Sequence, residues 1–263
     1  MDPLSTSLRK SIAALAKAKN RRETGLFVAE GTKCVLDTID AFTLRHLVAT
    51  AEWIDAHAGR VADADIVCAK KADMERMSSM STAPSVLAVY EIPAEEPLEV
   101  VPGRLALALD CVQDPGNLGT IVRAADWFGV DTIYASTDTA DIYSAKAVQA
   151  TMGAISRVRV QYCDLDSFLR GVPADVPVFG TFLGGENIYT APGLDSGGIL
   201  VLGNEGRGIS PLVAEACTRR LTIPSYPAGR PTSESLNVGV AAAVALSAFR
   251  SKTYNTNTQS PTM

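Results

Sequence analysis

Near the end of the chain, Ser233, Glu234, Ser235 and Asn237 crowd together directly in front of an apolar run, Val238 to Phe249. A helix start needs about one small polar side chain to accept from its free N–H groups, so four point to a site rather than a cap. An amide such as Asn237 left unpaired at the start of a buried helix costs about 1–3 kcal/mol, so it needs a partner. Two earlier stretches offer one. In LALALDCVQDPGNLGTIVRAADWFGV a strand ends at Asp110, and Pro115, Gly116 and Gly119 shape a turn. Asn117 is placed to cap the following helix, and Arg123 falls two turns into it among Ile121, Val122, Ala124 and Ala125. A guanidinium in so apolar a helix calls for an anionic partner. In GGILVLGNEGRGIS the strand Ile199–Leu202 runs into Gly203, Asn204, Glu205, Gly206, Arg207 and Gly208. Glycines there let the backbone approach a ligand closely, and Glu205 either meets that ligand, orients a neighbour or is solvated. A cation, a carboxylate, amides and a hydroxyl can bind and polarise. With only two histidines, His46 and His57, both in the first quarter, a histidine triad or multi-histidine metal site is poorly supported.

These loops need a sheet to hold them. Short apolar runs alternate with helical patterns: Leu26–Ala29, Leu47–Thr50, Ile66–Ala69, Val86–Tyr90, Leu105–Leu109, Thr132–Ala135, Val158–Gln161, Val178–Phe182, Ile199–Leu202 and Leu221–Ile223. Several are continuous, as strands buried on both faces are. The alternation predicts an α/β fold with a largely parallel sheet, whose ligand crevice lies at the carboxyl ends of the strands. Residues 92–104, IPAEEPLEVVPGR, are proline-rich and acidic and read as a linker between a domain at 1–91 and one at 105–250; the polar stretch 251–263 is expected to be disordered.

Of the 263 residues, 47% are hydrophobic, enough for a sizeable core, and the net charge of −5 gives no global nucleic-acid signature. The first 22 residues are the exception: Arg9, Lys10, Lys17, Lys19, Arg21 and Arg22 face a single acid, Asp2. With Leu8, Ile12 and Leu15 between them, they predict an amphipathic helix leading into a basic loop that is either solvated or touches RNA phosphates. Five scattered cysteines without a CxxC pair fit neither a zinc ribbon nor a disulfide framework and suit a reducing cytoplasm. No secretory signal is seen, and the longest apolar run is too short to span a bilayer. Trp53 and Trp127 read as packing residues, and the two histidines as structural or surface groups.

The three loops NLGTIVR, GNEGRG and SLNVGVA, in this order and each after a strand, resemble the three motifs of the SpoU branch of the SPOUT RNA methyltransferases. SAKAVQATMGAISRVRV is similar to the segment between the first and second motifs, and NRRETGLFVAEGTKCV resembles the small α/β substrate-binding domain often placed ahead. The resemblance implies a SPOUT domain with a deep trefoil knot, opening near Gly180–Asn187, and a homodimer in which the partner completes each active site. It implies that S-adenosylmethionine is held by Thr181, Gly184, Gly203, Asn204, Ile223, Ser235 and Leu236. Asn117, Arg123, Glu205, Ser235 and Asn237 match the catalytic positions, and Lys17, Lys19, Arg21 and Arg22 would contact RNA. The reaction implied is methylation of a ribose 2′-hydroxyl without a metal, with ribosomal RNA favoured over transfer RNA and no membrane role. Gly239 stands where the family often has Ser. A non-catalytic RNA-binding relative of the same fold is the alternative; a Rossmann-type nucleotide enzyme is disfavoured because neither a Walker A loop nor GxGxxG is present.

Overall fold

The computed structural model describes residues 4–61, 64–227, 229–231 and 233–257, with side chains to Ser251. Contacts divide the chain into Met1–Glu95 with Asp141–Ser156, and Glu96–Ala140 with Arg157–Met263. The break is therefore not the single cut at 92–104 that composition suggests, because a segment between two later strands belongs with the first unit.

In the first unit the elements are α1 (Thr6–Ala14), α2 (Ala18–Thr24), β1 (Leu26–Glu30), α3 (Thr32–Thr38), β2 (Leu44–Ala49), α4 (Ala51–His57), β3 (Ile66–Cys68), α5 (Lys71–Met77) and β4 (Val86–Glu91), to which α7 (Ala145–Thr151) is added. The strands form a sheet in the order β1-β4-β2-β3. It is mixed rather than largely parallel: β4 runs antiparallel to both β1 and β2, and only β2 and β3 are parallel. Helix α1 is capped by Ser5 and buries Ile12, while the nearby Leu15 joins the same core with Val28, Val48, Met74 and Leu87. The basic stretch after it is a second helix rather than a loop, ended by Gly25 in the left-handed conformation at φ 66°. Helix α7 packs against β1, burying Ala147, Val148 and Thr151, and the Tyr143 ring lies tilted against Phe27 with centroids 4.8 Å apart. These apolar contacts hold residues 141–156 in the first unit.

The second unit consists of β5 (Leu105–Leu109), α6 (Pro115–Trp127), β6 (Thr132–Ser136), β7 (Arg159–Cys163), α8 (Leu165–Arg170), β8 (Val178–Asn187), β9 (Gly198–Leu202), α9 (Pro211–Ala216), β10 (Arg219–Thr222) and α10 (Val238–Asn257). Its strand order is β10-β8-β9-β5-β6-β7, and every neighbouring pair is parallel. Strand β9 is buried at every position, which explains its unbroken apolar run. Because β5 lies between β9 and β6, the strand order reverses there, and the crevice of such sheets opens at that reversal. Residues 92–104 contain no helix or strand but are not free. Glu99 accepts from the Tyr134 hydroxyl through its carbonyl, Glu96 pairs with Arg159, and the Glu96 carbonyl accepts from Gln161 Nε2 at 3.0 Å. Helix α10 continues to Asn257, beyond the expected end of order at 250, since extending a formed helix adds a hydrogen bond for each residue fixed. The remainder of the expected tail, 258–263, lies outside the described residues.

Candidate active site

Helix α6 begins differently from expectation. Its cap is Asp114, whose Oδ1 accepts from the Asn117 N–H at 2.9 Å, with Pro115 in the first turn. Asn117 is thereby released from capping, and its side chain turns to other loops. Its Nδ2 donates to Glu205 Oε1 at 2.8 Å, and its Oδ1 accepts from Asn237 Nδ2 at 2.9 Å. Asn237 Oδ1 accepts in turn from Gly239 N and Val240 N at 3.0 and 3.3 Å, so Asn237 is the cap of α10. A single chain of hydrogen bonds thus runs from the positive end of α10 through two amides to a carboxylate. It joins all three motif loops within the second unit. The helices meet closely here: a Cβ on Gly239 would lie 3.0 Å from Thr120 Cγ2.

Arg123 lies on the exposed side of α6, one turn beyond Thr120 and one turn before Trp127. It makes no hydrogen bond or ion pair with any described residue, so its guanidinium is free for an anion. Trp127 is 84% exposed and is not the packing residue expected. Trp53 is: it is buried, donates from Nε1 to Thr32 Oγ1 at 2.9 Å, and stacks on His57 at 4.4 Å. His46 titrates below the usual histidine range because of partial burial and then the nearby Arg45 charge.

The expected cofactor positions lie within β8 and in the segments that follow β9 and β10. A Cβ on Gly203 would fall 2.3 Å from both Gly208 C and Ile209 N, so only glycine closes this turn. Asn204 spends its side chain inside the protein: Oδ1 accepts from Gly206 N and Arg207 N at 3.0 and 3.1 Å, and Nδ2 donates to Cys111 O at 2.8 Å. Its backbone N–H and C=O are engaged as well, bonded to Gly208 at 3.0 and 2.9 Å, so Asn204 holds the turn shut from within. Thr181 Oγ1 donates to Val201 O at 3.0 Å. Gly184, Ser235 and Leu236 are exposed and Ile223 is half-buried. Between Arg220↔Gly180 and Leu221↔Glu186 the register of β10 on β8 jumps, so residues 181–185 are unmatched there. The apolar Leu183 and Leu236 are both exposed to solvent. Such a surface suits a flat aromatic base held largely by backbone groups. A cavity of about 510 Å³ opens at the ends of β5, β6 and β7, lined by Asp110, Asp138, Asp164 and Asp166 together with Ser210, just past the second motif loop.

Of the four basic residues expected to meet RNA, Lys17, Lys19 and Arg22 are exposed. Arg21 is not. It is 3% exposed, donating from Nε and Nη2 to Asp141 Oδ2 at 3.0 and 2.6 Å and from Nη1 to the carbonyls of Leu15 and Ala16 at 2.7 and 3.0 Å. A guanidinium so engaged satisfies the carbonyls at the end of α1 and cannot reach a phosphate. Sequence reasoning also missed Ser136 and Asp138, which stand behind the first motif; the signal for them was the run Ser-Thr-Asp-Thr at a strand end.

Residues 104–247, more than half of the chain, match the model of the SpoU rRNA Methylase family. The chain belongs to that family. Residues 9–88 match the MRM3-like substrate binding domain. Among curated relatives, the 23S rRNA (guanosine(2553)-2′-O)-methyltransferase RlmP of Bacillus subtilis is 34% identical over 169 residues, which is 64% of this chain and 65% of RlmP. The chain thus spans slightly under two thirds of the length of RlmP. Among solved structures, an RNA methyltransferase of the TrmH family from Porphyromonas gingivalis superposes with TM-score 0.84 at 40% identity, covering 95% of this chain and all of that one. An AdoMet-bound rRNA methyltransferase from Sinorhizobium meliloti superposes with TM-score 0.83 at 28% identity, covering 96% and 97% of the two chains. The SpoU match begins one residue before β5 and ends within α10, so all three linked loops fall inside it.

Proposed function

We propose that this chain transfers a methyl group from S-adenosylmethionine to a ribose 2′-hydroxyl of RNA, ribosomal RNA ahead of transfer RNA, as a cytoplasmic homodimer. The observation that carries the reading is the hydrogen-bond chain Asn237–Asn117–Glu205, which ties the three motif loops of a SpoU sheet together at the start of the helix that carries Arg123, a cation with no partner among the described residues. The name of the Bacillus relative, which specifies 23S rRNA, and the substrate-binding match at 9–88 support ribosomal RNA. The AdoMet-bound neighbour supports the cofactor, and the glycine-walled turn at Gly203 with exposed Leu236 and half-buried Ile223 fits it.

In this reading Gly203, Ile223 and Leu236 would hold the adenine through backbone and apolar contact, with Asn204 fixing the second motif turn and Thr181 and Gly184 closing the pocket. The cofactor supplies a methyl on a sulfonium, an electrophile strong enough to need no metal. Arginine is a permanent cation, so Arg123 contacts the phosphate beside the target ribose and stabilises the alkoxide developing at its 2′-oxygen. Asn117 and Asn237, fixed by their mutual bond, keep α6 and Ser235 in register with the ribose. Much of the rate comes from this in-line placement. Lys17, Lys19 and Arg22 attract the RNA backbone. The homodimer gives the exposed Trp127 of α6 and Val240 of α10 an apolar cover. The trefoil knot is part of the same proposal, supported by the register jump that leaves residues 181–185, within β8, unmatched against β10.

The test is incubation of protein with unmodified total RNA and methyl-labelled cofactor, followed by mapping of alkali-resistant linkages. Label at a resistant ribosomal linkage is expected. Bound cofactor without any label in RNA would replace this reading with that of a non-catalytic relative.

A further inference from the structure

Where the chain leaves β5, the buried Cys111 is left-handed, at φ 59°. A residue with a Cβ keeps that conformation only when its surroundings impose it. Here two side chains grip its peptide groups. The Cys111 N–H donates to Ser136 Oγ at 2.8 Å, and its carbonyl accepts from Asn204 Nδ2 at 2.8 Å. The hydroxyl of Ser136 donates to Asp138 Oδ1 at 2.6 Å, which leaves an oxygen lone pair facing Cys111. Arg207 Nη2 adds a contact to Cys111 Sγ at 3.4 Å. The following residue is fixed too: Val112 N donates to Thr139 Oγ1 at 3.3 Å, and Val112 O accepts from Ala140 N at 2.9 Å. The chain then reaches Asp114, the cap of α6.

We propose that Ser136, Asp138 and the Asn204 side chain are positioning residues that clamp the left-handed turn at Cys111 and thereby aim α6, with Asn117 and Arg123, at the substrate. None of the three touches the reacting atoms. Asn204 acts from the second motif loop and Ser136 with Asp138 from the end of β6, so the first motif is held from both neighbouring strands. The inference rests on the methyl-transfer reading, but its second measurement below does not.

The test uses the full chain with Ser136→Ala, alone and combined with Cys111→Gly, because glycine adopts the left-handed turn without help. In Ser136→Ala, kcat is expected to fall at least tenfold, while the KM for RNA and the calorimetric Kd for S-adenosylmethionine stay within threefold. Adding Cys111→Gly is expected to restore kcat to within threefold of wild type, and Ser136→Thr to retain it. Amide exchange at Leu118 and Gly119 should quicken at least tenfold in Ser136→Ala and return in the double variant. Wild-type kcat and exchange in a folded Ser136→Ala, or a glycine that restores neither, overturns the clamp. If Ser136→Ala does not accumulate folded, Asp138→Ala, at an exposed position, with the same rescue decides it by the same outcomes. If the wild type methylates nothing, the reaction assignment falls, and amide exchange alone decides the clamp.

Discussion

Asn237 Nδ2 donates to Asn117 Oδ1 at 2.9 Å, tying the first turn of α10 to the first turn of α6 across 120 residues of chain. The same Asn237 caps α10 through its Oδ1. The two roles use different atoms and so can be separated. Asn237→Ala loses both, at about 1 kcal/mol for the cap, and is expected to lower Tm by roughly 2–4 °C and methyl transfer at least tenfold. Asn237→Asp keeps the acceptor for the cap but has no donor for Asn117. It should melt like wild type in calorimetry and yet remain slow.

Arg123 is exposed and has no described partner, so removing it leaves the fold intact. Arg123→Ala is expected to keep Tm within about 1 °C, as surface changes do, and to bind S-adenosylmethionine with unchanged affinity by calorimetry. Methyl transfer should fall at least a hundredfold, of the order seen when one charge-stabilising donor is lost. Activity within a few-fold of wild type would remove Arg123 from the mechanism.

Gly203→Ala puts a Cβ 2.3 Å from the backbone at Gly208 and Ile209, which no side-chain rotation relieves. The turn must open. Cofactor affinity is expected to drop at least tenfold by titration calorimetry, with Tm lowered as well. Retention of both would show that the turn yields more easily than its geometry implies.

The basic face of the first unit divides into two kinds of residue. Replacing Lys17, Lys19 or Arg22 with Ala should weaken RNA binding modestly and reduce the log–log salt slope by about 0.7–0.9 for each phosphate no longer neutralised, with Tm unchanged. Arg21→Ala removes the donor from the carbonyls of Leu15 and Ala16 and the cation from Asp141, which is 31% exposed and keeps the Tyr143 N–H, so the cost is about 1–3 kcal/mol. Thermal melts should show that destabilisation directly.

Burial, followed by the nearby Asp37 charge, pushes the Cys34 thiol up to about 11 from 9.0. The folded protein keeps this proton longer than the unfolded chain, so the associated stability is complete below pH 9 and is lost as pH climbs through 11. The loss amounts to up to roughly 3 kcal/mol. Cys163 and Cys217, both raised to about 11 mainly by burial, add to it. Urea unfolding at pH 8 and pH 10 is expected to show a smaller drop for Cys34→Ala than for wild type.

All ten strands were legible because each carries a short run with apolar or β-branched residues, a signal that local composition holds even in the half-buried β3, β7 and β10. The three motif loops were legible for the same reason: they follow strand ends and begin helices. What periodicity could not show was direction. Arg21 is one basic residue among six in its stretch, and only the fold reveals that it turns inward to the end of α1. Trp127 occupies a helix position whose outward side has no apolar cover among the described residues. Asn117 has the residue type of a cap, yet Asp114, three residues earlier, already accepts from its N–H. The mixed pairing of the first sheet was hidden because antiparallel and parallel strands buried on both faces share one composition.

The ion pair between Arg21 and Asp141 spans 120 residues of sequence inside one folding unit. A gene fragment ending near residue 95 would carry the guanidinium but neither its carboxylate nor α7, and would bare the flank of β1 that Tyr143 covers. Excision at the proline-rich stretch therefore yields a stump with an orphaned buried cation, whereas grafting residues 141–156 back through a short artificial loop would return both missing pieces.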